Sequence, residues 1–356
     1  MSTPKTSQKA TAEIDDTTAL PASGQIGSGM EGGLVDQVRA YLLRVRSGDM
    51  GVLPAVAGFI VLSVLFTALS SYFLTERNIA NLLTQAAPAI MLAMGLVFVI
   101  LLGEIDLSAG TTSGVAMAIF VVLSDPGGIN MNWILALLIS LAVGVTIGLF
   151  IGFFVARVGI PSFVVTLGLF LGFQGLQLLI IGAGGLYRIS EDAVSAIENK
   201  NLPIWGGWLL LGIMLVISLV TAIVDRRRRT RAGVPNRTIS LVVIKLAVML
   251  LIGGVSVFLL SQNRGQVNYL NGQIVSGTTI EGVPIVVPFV LGILWVGTFL
   301  LDRTRYGRYL YAIGGNAEAA RRAGIKVIGI KWAAFAICST LAVVSGLFTA
   351  SKIGSV

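Results

Sequence analysis

The sequence predicts an all-α integral membrane protein, a polytopic bundle of about nine transmembrane helices. Three observations predict it. Hydrophobic residues make up 55% of the 356-residue chain and charged residues only 12%, with a mean hydropathy of +0.89. A water-soluble fold cannot hide that much apolar surface, whereas lipid can accept it. The apolar runs are continuous and lack the short alternating segments of a membrane barrel. Finally, the basic residues sort onto one side of those runs.

Taken in order, residues 1–47 form a cytoplasmic tail. Up to about residue 34 it is polar and rich in Ser, Thr, Gly and Ala, which predicts disorder. Residues 34–47 place Arg39, Arg44 and Arg46 among apolar neighbours and predict an amphipathic helix on the inner membrane face. The first apolar run starts only near Gly51, so no signal peptide is read at the start. The membrane domain is 48–356. Its spans are read at 51–70, 84–102, 108–123, 133–156, 162–181, 207–224, 239–260, 284–301 and 330–350. Each is near the roughly 20 residues that cross a hydrocarbon core, and the third is marginal.

With the N-terminus inside and the spans alternating, only Arg77, Arg188, Lys200, Arg264 and Lys352 of the 25 lysines and arginines fall outside. A miscounted span would scatter the basic loops, so the sorting checks the count. The net charge of +8 therefore marks cytoplasmic loops rather than a nucleic-acid partner. The cluster at Arg226–Arg229 and Arg231 is read as a topology anchor in such a loop. Asn236-Arg237-Thr238 matches a glycosylation acceptor but falls on the inner side.

Several chemistries are disfavoured. The chain has one cysteine, Cys338, and no histidine, so it has no internal disulfide and lacks the commonest general base and metal ligand. No phosphate-binding loop, zinc motif or calcium motif is found, and Gly182-Ala183-Gly184-Gly185 follows no strand.

Two stretches remain. Between the second and third spans, Gly103-Glu104-Ile105-Asp106-Leu107-Ser108-Ala109-Gly110 links two helices too tightly for an ordinary loop. A broken helix pair near 103–110 is expected, with Asp106 or Ser108 capping the short third span. Glu104 and Asp106 either lie on a translocation path or are solvated acids of a capped turn. In the fifth span Thr166, Gln174 and Gln177 either line a path or bond to a neighbouring helix. Gly144, Gly148 and Gly152, and Gly168 and Gly172, have close-packing spacing.

The other stretch is 311–325, YAIGGNAEAARRAGI, within the cytoplasmic segment 302–329. Asn316 is an N-cap, Glu318 lies in the first turn, Arg321 and Arg322 lie near the end, and Gly324 closes the helix. Ala317, Ala320 and Gly324 share a face, which could leave a bare surface for another protein. The alternative is a loop helix lying on lipid headgroups.

The stretch 311–325 resembles the cytoplasmic coupling motif of permease subunits of bacterial monosaccharide ABC importers. Residues 78–85, 103–110 and 160–167 are similar, in order, to three further segments of that family, and the likeness is greatest to its xylose-type members. The resemblance implies a homodimeric permease in the bacterial inner membrane, with the N-terminus cytoplasmic. It also implies an extracytoplasmic sugar-binding protein and a separate ATPase that holds ATP and Mg, with no cofactor in this chain. Gly314, Gly315, Asn316, Glu318, Ala319, Ala320, Arg321 and Gly324 would couple to the ATPase. Glu104, Asp106, Ser108, Thr166, Gln174 and Gln177 would be path candidates. Family members continue with further spans, so a chain truncated at its C-terminus is expected. The competing reading is an ion-coupled secondary transporter or channel that uses Glu104 or Asp106.

Overall fold

In hydrocarbon an unpaired backbone amide has no water to turn to, so apolar runs of this kind fold as helices. The computed structural model describes residues 45, 51–182, 187, 192–234, 239–265, 267–270, 273–277 and 279–353. Apart from Val45 the N-terminal tail lies outside them, as do Arg188, residues 183–185 and the 236–238 tripeptide.

The elements are α1 (Leu53–Leu69), α2 (Glu76–Ile100), α3 (Ala109–Ser124), α4 (Trp133–Gly152) with a π-helical turn (Phe153–Val158), α5 (Ser162–Ile181) and α6 (Asp192–Asn199). They continue with α7 (Ile204–Arg231), α8 (Ile239–Leu260), a hairpin of β1 (Val267–Leu270) and β2 (Gln273–Gly277), α9 (Val286–Arg303), α10 (Arg305–Gly315), α11 (Ala317–Arg322) and α12 (Val327–Ile353). Among the described residues, seven helices are long and apolar enough to cross a membrane, and α1 and α3 are shorter apolar helices. The sequence expectation of about nine spans corresponds to these seven plus two.

Two differences have clear causes. The arginine cluster sits on the last turns of α7, not in a loop, because that helix runs unbroken for 28 residues. Cations there also complement the negative end of the helix dipole. The antiparallel hairpin, pairing Val267 with Gly277 and Leu270 with Gln273, was not expected. Its sequence signal is Asn271-Gly272 between two β-prone runs.

The chain divides into two compact units. One comprises the described residues up to Val64 with Leu215–Leu250. The other comprises Leu65–Met214 with Leu251–Val356 and contains the core described next.

In the larger unit α12 is the central helix, packed against α2, α3 and α4. It is buried over most of its length, including Ala334, Phe335, Cys338, Ala342 and Val343. Such contact needs small partners. A Cβ at Gly148 of α4 would lie 2.5 Å from the Phe335 carbonyl oxygen and 2.6 Å from the Ala336 Cα. Gly144 and Gly152 meet α12 in the same way. The reading of this stripe as close-packing holds. At Gly168 and Gly172 of α5 a Cβ would meet nothing within 4 Å among the described residues, so no such contact is made within this chain. The face of α5 that packs on the bundle carries Ser162 and Thr166 instead.

Candidate functional site

α10 and α11 form a bent pair at the start of α12. The Thr304 hydroxyl caps α10 by accepting from the Gly307 N–H at 3.3 Å. Leu310 and Ile313 then sink into a cluster with Phe98, Leu102 and Leu301. At Asn316 the chain turns, and the Asn316 side chain accepts from the Ala319 N–H at 2.9 Å, so it caps α11. Glu318 pairs with Arg322 at 3.2 Å and Arg321 at 3.7 Å on the exposed face. Gly324, at φ +82°, closes the helix as the Ile325 N–H reaches the Ala320 carbonyl at 3.1 Å.

The small-residue face points the other way from the one the sequence suggested. Ala320 is only 5% exposed and Ala317 packs beside it, both against the bundle's own core. Their smallness brings α11 down onto the protein. The face left outward carries Gly315, Asn316, Glu318, Ala319, Arg321, Arg322 and Gly324. Gly314 fits under the end of α2, where a Cβ would strike the Leu101 carbonyl. The 311–325 stretch therefore abuts the break that begins two residues later, although the two are far apart in sequence.

The break between α2 and α3 is built from polar side chains that replace lost helix bonds. α3 has 16 residues, a rise of about 24 Å, less than the hydrocarbon thickness, so the non-helical turn reaches into membrane depth. Its backbone must be satisfied locally. The Ile105 N–H donates to Ser162 Oγ at 3.0 Å and the Leu107 N–H to Thr166 Oγ1 at 3.1 Å, both on α5. The Thr166 hydroxyl in turn donates to the Ile105 carbonyl at 3.3 Å. Thr166, a path candidate, is thus a clamp on the break, and its partner Ser162 was not singled out from the sequence.

Asp106 and Ser108 act together. Asp106 Oδ1 accepts from the Ser108 N–H at 2.9 Å and from its hydroxyl at 2.7 Å. The Cys338 thiol faces Asp106 Oδ2 at 3.6 Å. Asp106, not Ser108, supplies the capping acceptor before α3. Glu104 forms an ion pair with Lys331 of α12. Both acids of the motif therefore hold partners, Glu104 a lysine and Asp106 neutral donors.

The two glutamines separate. Gln177 packs against Gly114 of α3, where a Cβ would collide with its Oε1, whereas Gln174 is exposed.

A second polar group lies near the other end of α12, and sequence reasoning passed over it. Glu198 of α6 is 5% exposed, and among the described residues neither carboxylate oxygen has a hydrogen-bond partner. Burial pushes its carboxyl up to about 7, against the opposing pull of Lys352. Lys352 donates to Thr84 Oγ1 at 3.2 Å. The Glu198 N–H and the Asn199 side chain bond Ser351 at 3.3 and 2.9 Å and hold α6 on α12. Near the start of α9, buried Arg264 donates to the Gly282 carbonyl at 2.8 Å. Burial lowers its guanidinium from the usual range, and Glu76 opposes this. These groups lie far apart in sequence, so no local pattern marks them.

The family described as branched-chain amino acid transport system / permease component matches residues 78–241 and 181–356. The xylose transport system permease protein XylH of Escherichia coli strain K12 is 32% identical over 316 residues, covering 87% of this chain and 74% of that protein. Its namesake in Haemophilus influenzae is 29% identical over 315 residues, 88% of this chain and 79% of the relative. The ribose import permease protein RbsC of E. coli K12 is 25% identical over 318 residues, 89% and 72% respectively. No solved structure matches.

Proposed function

Because the chain belongs to the branched-chain amino acid transport system / permease component family, we propose that it is the transmembrane permease subunit of a sugar ABC importer. It forms the path for a monosaccharide, xylose or a similar sugar. An extracytoplasmic binding protein delivers the sugar, and a separate ATPase, holding ATP and Mg, drives transport. The subunit itself catalyses no reaction. Two copies make the path in the bacterial inner membrane, each with its N-terminus in the cytoplasm.

The observation that carries this reading is a single alignment over 87% of the chain to a xylose permease. The geometry supplies a means. α11 is short, capped at both ends and exposed on one face; it is backed by the core, and Gly314 of the preceding α10 meets the end of α2. A push on it from an ATPase would bear directly on the 101–108 break.

Uptake of labelled D-xylose into proteoliposomes holding the full chain, its ATPase and its binding protein tests the proposal. Uptake that needs ATP inside and survives a proton uncoupler is expected. Uptake that continues without the ATPase but collapses with the proton gradient would sink it in favour of the secondary-transporter reading.

A further inference from the structure

The Glu198 carboxylate has no part in the contacts described above. What holds α6 to α12 is its backbone N–H and the Asn199 side chain, both on Ser351. The Glu198 carboxylate is buried with both oxygens unpartnered. An unpaired buried carboxylate is unfavourable, and one set beside further polar groups is a candidate functional site. Lys352 is close enough for its charge to act on Glu198, yet among the described residues no ion pair joins them. Its ammonium is turned to Thr84 Oγ1 instead. Pro88 lies one turn after Thr84 in α2. Having no N–H, Pro88 cannot donate to the Thr84 carbonyl, which leaves a further acceptor at this point.

The Thr84 hydroxyl donates to the Asn81 carbonyl at 3.0 Å and accepts from Lys352, so the group offers a carboxylate, the Thr84 carbonyl and an ammonium, with the two charges held apart. A bare cation would meet Lys352, and an anion would meet Glu198. A neutral polyol suits both, because each hydroxyl can donate to the carboxylate and accept from the ammonium. Lys331 and Lys352 stand 21 positions apart on one helix, roughly 30 Å, about a membrane thickness. The group thus lies at the opposite face from the coupling stretch, where a sugar would enter.

We propose that Glu198, Lys352 and Thr84 form an entry station that binds the hydroxyls of the incoming sugar. This rests on the sugar-import reading. The test pairs uptake of D-xylose and D-ribose in the reconstituted full importer with thermal unfolding of the purified chain. At pH 8, where the carboxyl is ionised, Glu198→Leu should raise the Tm, because an unpaired buried charge is removed. It should also cut uptake roughly tenfold or more, the fold-change expected for loss of one charge-assisted hydrogen bond. Lys352→Met should lower uptake as well, and Glu198→Gln should fall between Glu198→Leu and the unaltered chain.

Uptake by Glu198→Leu within about twofold of the unaltered chain would overturn the station and leave the importer reading standing. A loss of uptake accompanied by a fall in Tm would overturn it too, by making the carboxylate structural. Failure of the unaltered importer to move either sugar would instead strike the sugar reading on which the station rests.

Discussion

Thr166 shows how one hydroxyl can hold a helix break. It accepts from Leu107 and donates to Ile105, so Thr166→Val leaves the Leu107 N–H and the Ile105 carbonyl without these partners in a segment where hydrocarbon offers no water to replace them. We expect a loss of about 1–3 kcal/mol in chemical unfolding, with Thr166→Ser close to neutral. Glu198 makes a pH prediction. Its carboxyl is raised from 4.5 to about 7, so the fold favours the protonated form. That contribution is full below about pH 4.5 and is lost as pH rises through about 7. The Tm of the chain should therefore fall between pH 5 and pH 8, and Glu198→Gln should flatten the dependence. A profile unchanged by the substitution would show that Glu198 is not the titrating group.

Among the elements, α11 depends on its caps, and the end of α10 that leads into it depends on close approach to α2. Gly314 and Gly315 are neighbours with different surroundings: Gly314 meets the Leu101 carbonyl, and Gly315 has nothing within 4 Å. Gly314→Ala should lower the Tm and the yield of folded chain, through steric strain of about 1–3 kcal/mol. A bulky side chain at Gly315, or loss of Glu318, should leave folding intact and reduce sugar moved per ATP hydrolysed. Equal effects of substitution at 314 and 315 on stability would contradict this division. The stripe on α4 makes a similar case, since Gly148→Ala must push apart two helices whose backbones touch. The motif at 311–325 was legible as a capped helix because caps are local in sequence. Which face it buried was not legible, because alanines are as fit for the bundle's own core as for a partner's surface.

For the whole molecule, the positive-inside rule predicts an orientation with residues near 324 in the cytoplasm and residues near 130 outside. Reporter fusions at Gly324 and Asn130 check this: activity of an export-dependent reporter is expected at Asn130 and not at Gly324. The reverse pattern would invert the chain and remove α11 from the reach of any cytoplasmic ATPase.

By itself the sequence determined the membrane class, the count and order of apolar helices, the break near 103–110 and the capped helix at 317–322. These follow from composition, run length and spacings of three or four residues, all of which act within one segment. Only the tertiary structure decided that Ser162 and Thr166 clamp the break, that Lys331 neutralises Glu104 and that Ala320 faces inward. It alone brought Glu198 to Lys352 and Thr84. Those pairings join residues tens to hundreds of positions apart, and a hydroxyl or carboxylate in a sequence looks the same whatever it will meet. What each polar side chain does in this bundle depends on which helix packs beside it, and α12, the common neighbour of α2, α3 and α4, largely sets that.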